Sequence, residues 1–191
     1  MEFKDEISKL EGNLKVVGRI GTGKTNILKA LALKLNSVLV IDLFDEYGDI
    51  EKIAEDIKVI KLNRNAINSA IKDGKSELKE EYIKMAKNYK YIIVDEPHFI
   101  DRDQFMSLLR EMDEVGNIVI AAFITTGNER NIYGNEEIAE LAEHFPYVID
   151  IDKTDKSREK FQEMVARLGG REIIFNENKS IINPLFTDFQ Y

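Results

Sequence analysis

Eight residues constrain this chain more than any other feature. Gly18-Arg19-Ile20-Gly21-Thr22-Gly23-Lys24-Thr25 fills every fixed position of G-x-x-x-x-G-K-[ST]. It lies between an apolar run, Leu14–Val17, and a segment with helical periodicity, Thr25–Leu35. The chemistry needs that order. Glycines let the backbone curl so that successive N–H groups face an anion, and the following helix N-terminus adds positive potential. Gly18, Gly21, Thr22, Gly23, Lys24, Thr25 and Asn26 are therefore the expected nucleotide contacts. Lys24 is expected to reach the β- and γ-phosphates of ATP, where it also assists catalysis, and the Thr25 hydroxyl to ligate Mg²⁺.

Continuous apolar runs at Val38–Asp42, Tyr91–Asp95, Ile118–Thr125 and Tyr147–Ile151 join Leu14–Val17 as strands. None alternates, as expected of parallel strands covered on both faces. Helical spacing fits Thr25–Leu35, Asp49–Asp56, Asn65–Asn88 (split near Gly74), Arg102–Val115, Asn135–Glu143 and Asp155–Leu168. Lys58–Leu62 reads as an edge strand. Glu172–Phe175 and Ser180–Ile182 read as a small C-terminal β-hairpin turning at 176–179. The expected fold is α/β, three layers around a mainly parallel sheet, with residues 1–191 as one P-loop ATPase domain.

Composition narrows the function. Thirty-five acidic against 27 basic residues give a formal charge of -8, which argues against a chain that coats nucleic acid with broad cationic surface. There is no cysteine, so thiolate catalysis, cysteine-held zinc and disulfides are excluded. The longest apolar run, Ile118–Ile124, falls far short of the roughly 20 residues that span a bilayer. A soluble, cytoplasmic protein with no membrane partner is the expectation (host cytoplasm, if the source is a virus).

Tyr91-Ile92-Ile93-Val94-Asp95-Glu96 supplies the second half of a nucleotide site. An acid at the tip of a buried strand needs a partner, here the hydrated Mg²⁺ that Thr25 also holds. Glu96 occupies the position of a base that polarises attacking water. The Asp-Glu pair resembles the additional-strand, catalytic-glutamate division of P-loop proteins. That resemblance implies a RecA-like sheet with the loop strand beside a sensor strand, Ile118–Thr125. Thr126, ahead of Thr125 and Asn128, is then the residue facing the γ-phosphate.

Asp42-Leu43-Phe44-Asp45-Glu46-Tyr47 resembles the D-P-x-G-E-Y element of the HerA–FtsK superfamily of DNA-pumping ATPases. Asp42, Glu46 and Tyr47 match; Leu43 and Asp45 replace proline and glycine. The resemblance covers roughly residues 12–183 and is nearest to compact viral genome-packaging ATPases. It implies a homo-oligomeric ring, hexameric or similar, with double-stranded DNA in its channel and ATP at subunit interfaces. An arginine acting across the interface is then required, with Arg130 first and Arg158 and Arg110 behind it. The alternative is a RecA- or AAA-like regulatory or remodelling ATPase that pumps no DNA. A GTPase is disfavoured: Asp152-Lys153-Thr154-Asp155 approaches N-K-x-D, yet Asp95-Glu96-Pro97-His98 lacks the glycine of D-x-x-G.

Overall fold

The computed structural model describes residues 10–52, 54–62, 75–126, 131–132, 141–150, 172–176 and 179–183. Its sheet is built from β1 (Leu14–Gly18), β2 (Val38–Asp42), β3 (Ile57–Lys61), β4 (Tyr91–Asp95), β5 (Ile118–Thr126) and β7 (Tyr147–Asp150). These six run in the order β3-β2-β4-β5-β1-β7, every neighbouring pair parallel. A short β6 (Asn131–Ile132) turns back antiparallel on the end of β5. The loop strand β1 lies directly beside β5, and β5 separates it from β4, as the sequence implied.

The unbroken apolar runs follow from the layers. On one face Val16, Val38, Val40, Ile93 and Ile120 pack with Ile27, Leu28 and Leu31 of α1 (Lys24–Lys34). On the other, Leu39, Ile41, Ile92, Val94, Val119 and Phe123 meet two helices. These are α2 (Glu80–Ala86) and α3 (Arg102–Val115), the latter through Phe105, Leu108, Leu109 and Met112. Adjacent strand residues thus enter opposite cores, so both parities must be apolar. Burying each such side chain stabilises the fold by about 1.5–3 kcal/mol. The start of β1 is pinned by Asn13, buried between strands. Its Oδ1 accepts the Val119 N–H at 2.9 Å, and its Nδ2 donates to His144 O at 3.3 Å.

The ends of α3 were legible at single-residue resolution. Asp101 caps it by accepting the Gln104 N–H at 3.1 Å, and Gly116 ends it at φ 69. Two other helices were not as expected. The segment Asp49–Asp56 forms turns at 48–52 and 55–56 rather than a helix. There the Glu51 side chain leaves the helical path to take the Val59 N–H and Lys58. Of Asn65–Asn88, only Glu80–Ala86 is helical among the described residues. Ser76 instead bridges in parallel to Ile100, and the Leu78 N–H donates to Gln104 Oε1 at 2.6 Å, drawing 75–79 out of helical form. The terminal hairpin is present as β8 (Glu172–Asn176) and β9 (Lys179–Asn183). The helix expected at 155–168 lies outside the described residues.

Candidate nucleotide site

The carboxyl edge of the sheet gathers the chemistry, where ligands of open α/β sheets ordinarily sit. Gly18, Asp42 and Asp95 end β1, β2 and β4. In the loop after β1, Gly21 (φ 79) and Gly23 (φ 94) are left-handed, a conformation strained for any residue with a Cβ. Gly23 is the N-cap of α1, whose first turn holds no acid to neutralise its positive end. Lys24 is buried, its Nζ donating to Gly18 O at 3.0 Å and Arg19 O at 2.9 Å. The Thr22 hydroxyl closes the loop onto Arg19 O at 2.7 Å.

The Asp95 side chain meets donors unevenly. Its Oδ2 accepts the Tyr47 hydroxyl at 3.0 Å, while Oδ1 is buried with no hydrogen-bond partner. The Thr25 hydroxyl lies against the carboxylates of both Asp95 and Glu46. Burial pushes the Asp95 carboxyl above its usual range, opposed by the Thr25 and Tyr47 hydroxyls beside it and by the Lys24 charge. An orphaned buried oxygen beside a threonine hydroxyl suits hydrated Mg²⁺, which would supply the missing donors from its water shell. Among the described residues no trio of His, Asp and Glu side chains can hold a metal by itself.

Glu96 sits in a conformation that residues with a Cβ rarely adopt, φ 54 and ψ 60, ahead of a 3₁₀ turn at Pro97–Phe99. Backbone strain of this kind, of order 1–3 kcal/mol, concentrates at functional sites. Burial, and next the Asp95 charge, raise the Glu96 carboxyl above its usual value, while Lys24 draws it down. A glutamate of raised proton affinity beside this loop is better suited to accept a proton than an ordinary exposed carboxylate.

The sequence profile of the AAA domain family matches residues 7–132, more than half of the chain. The chain belongs to the AAA domain family. It is therefore an AAA-type P-loop ATPase domain. No curated protein matches this AAA domain. Three solved structures resemble its fold. A DNA replication initiation factor aligns at 15% identity and TM-score 0.46, covering 85% of this chain and 47% of its own. AMPPCP-bound DnaA from Aquifex aeolicus aligns at 15% and 0.44, covering 88% and 48%. DnaA bound to AMPPCP and single-stranded DNA aligns at 13% and 0.47, covering 83% and 46%. The AAA domain spans about half the length of these structures.

Other expected site residues of the AAA domain meet different outcomes. Asn26 lies in the first turn of α1. Thr126 ends β5 opposite Asn131, one residue beyond the buried Thr125; its side chain lies outside the described residues. Asn128, Arg130, Arg158 and the N-K-x-D-like stretch at 152–155 also lie outside them. Arg110 is exposed on α3, its Nε donating to Met106 O of the same helix at 3.4 Å. No helix among the described residues is long and apolar enough to cross a membrane.

The sequence does not flag Lys29, whereas the place of His98 just after the Asp-Glu pair already makes it a candidate for sensing bound nucleotide, against a structural role at a strand end. Lys29, one turn and a half along α1 from Lys24, stands 5.5 Å from the centre of the Tyr47 ring and 3.7 Å from Asp49. His98 is half-buried against Phe99, its Nδ1 without a partner. Burial, with the Lys24 charge behind it, lowers the imidazole to about 4, so His98 is neutral at pH 7. Spacing alone does not flag Lys29, because its partners Tyr47 and Asp49 come from another element that the fold brings to α1.

Proposed function

We propose that this AAA domain hydrolyses ATP with Mg²⁺ and that turnover drives double-stranded DNA through a homohexameric ring. The observation that carries the hydrolysis is the tip of β4, where a carboxylate with one orphaned oxygen adjoins a glutamate of raised proton affinity. Lys24, Thr25 and the loop amides hold the phosphates, and Thr25 and Asp95 hold the metal. Bound Mg²⁺ would offset charge on the β- and γ-phosphates. Glu96 takes a proton from water as its oxygen attacks the γ-phosphorus, and ADP leaves with the bridging oxygen. Thr126 senses the γ-phosphate, and Arg130 of a neighbouring subunit stabilises the charge that develops there.

The DNA-pumping output finds support in the Asp42–Tyr47 element. Asp45, where the superfamily pattern carries glycine, has φ 60, the left-handed form that glycine serves best and aspartate tolerates. The Asp45 backbone thus takes a form that glycine at that position could also take, while Leu43 in place of proline is a second departure from the pattern. A regulatory or remodelling ATPase is the second reading, favoured by the family match over residues 7–132.

Phosphate release by the chain, measured with and without duplex DNA alongside particle mass, separates the two. Stimulation by duplex DNA in a ring-sized species is expected. Hydrolysis indifferent to DNA at every oligomeric state would leave the regulatory reading, and no Mg²⁺-dependent hydrolysis would remove both.

A further inference from the structure

We propose that Tyr47 is a positioning residue for Asp95: its hydroxyl occupies Oδ2 and so leaves Oδ1 as the oxygen offered to the metal's shell. The inference rests on the Mg²⁺ reading of Asp95 above. Tyr47 is 1% exposed and donates to Oδ2 at 3.0 Å across 48 residues of sequence. The phenol has little freedom to choose that partner. Asp42 accepts the Phe44 and Glu46 N–H groups on Oδ1, at 3.1 and 3.2 Å, and the Tyr47 N–H on Oδ2, at 3.0 Å. These three bonds fold the loop after β2 back over the sheet edge and fix where the Tyr47 backbone lies. The Lys29 ammonium from α1 stands 5.5 Å from the ring centre. Three elements, β2, α1 and β4, thereby meet at one side chain.

A carboxylate with one oxygen tied in this way loses rotation about its terminal torsion, which is otherwise broad and two-fold. Both oxygens would compete for the metal's waters if Oδ2 were free. With Oδ2 filled, the buried Oδ1 is the one without a protein donor. Partners that orient metal-site carboxylates typically change metal affinity 10–100-fold when removed.

The test measures Mn²⁺ binding to the protein–ADP complex by electron paramagnetic resonance, with metal-free ADP binding and thermal stability in parallel. Y47F removes only the hydroxyl and keeps the ring beside Lys29. It is expected to weaken Mn²⁺ about tenfold or more while metal-free ADP binding stays at its wild-type value. D42N, whose amide nitrogen cannot accept the Tyr47 N–H, is expected to weaken Mn²⁺ in the same direction and decides the matter if Y47F does not fold. I83V, a core change on α2, is expected to lower stability and leave Mn²⁺ affinity untouched. Wild-type Mn²⁺ affinity in Y47F or a folded D42N would overturn the positioning role alone. ADP binding by the wild type that never recruits Mn²⁺ would overturn the metal reading of Asp95, and the positioning role with it.

Discussion

Two aspartates end neighbouring parallel strands, both almost wholly buried, and they do different work. Asp42, at the tip of β2, is surrounded by donors: three backbone N–H groups from the loop it terminates. Asp95, at the tip of β4, has one oxygen filled by Tyr47 and the other empty of partners. A buried carboxylate with its donors complete behaves as part of the scaffold. One left a donor short is held in readiness for a ligand, at some loss of stability. The contrast separates the residues that shape the site from those that act in it.

The largest effect expected from breaking this contrast is on turnover at the β4 tip. Glu96→Gln should lower kcat by about 10²–10⁴-fold while ATP binding persists, read by single-turnover hydrolysis beside equilibrium binding. Turnover within a few-fold of wild type would take Glu96 out of the chemistry. Next come the aspartates themselves, compared by chemical denaturation and metal-dependent hydrolysis. Asp42→Ala should destabilise the fold by about 3 kcal/mol, because charge-assisted hydrogen bonds are lost and buried donors stay unpaired. Asp95→Asn should alter stability by no more than about 1 kcal/mol, since burial already disfavours its charge, yet should abolish Mg²⁺-dependent turnover. Equal stability losses at the two positions would erase the distinction.

The sequence made the β4 tip legible and marked Asp42, Glu46 and Tyr47 at the β2 tip without showing what they touch. Asp95 and Glu96 follow four apolar residues, and the phosphate loop is written in a contiguous pattern, so both could be read before any fold was known. The hydroxyl that completes Asp95 comes from Tyr47, and only the pairing of β2 with β4 brings them together. Lys29 escaped for the same reason. Strands and α3 were clear because burial on two faces and a full capping pair leave a strong trace. Segment 49–56 had the right periodicity, but the Glu51 side chain bonds the Val59 N–H and Lys58 instead. Residues 75–79 were claimed by Ile100 and Gln104, partners remote in sequence.

A smaller effect concerns pH. The folded chain holds His98 at about 4 against an ordinary value of 6.5, so the native state binds fewer protons than the unfolded one between those values. His98 therefore contributes stability that is complete above pH 6.5 and is lost as pH falls toward 4. Asp95 and Glu96, both raised, act with the opposite sign: stability is present at low pH and lost as pH rises through their folded values. In metal-free protein, His98→Gln should shrink the fall in Tm between pH 6.5 and pH 4.5. An unchanged fall would place the acid sensitivity elsewhere.

The smallest effect belongs to the loop that joins the two tips. Asp45→Gly should relieve the left-handed strain and lose the exposed Lys61 pair, leaving stability within about 1 kcal/mol of wild type and turnover unaltered. Asp45→Val, with a β-branched side chain at φ 60, should be the less stable of the two by denaturation. The reverse order would mean that the aspartate side chain, rather than the backbone form it tolerates, shapes this loop.

The central claim is that the tips of β1 and β4 together make a Mg²⁺-dependent ATP-hydrolysing centre. Phosphate release from ATP, followed with duplex DNA present across a range of chain concentrations and Mg²⁺ levels, tests it most directly. The account predicts hydrolysis that appears with Mg²⁺, vanishes on chelation and is absent in Asp95→Asn. Hydrolysis that survives chelation, or none at any Mg²⁺ and protein concentration, would contradict it.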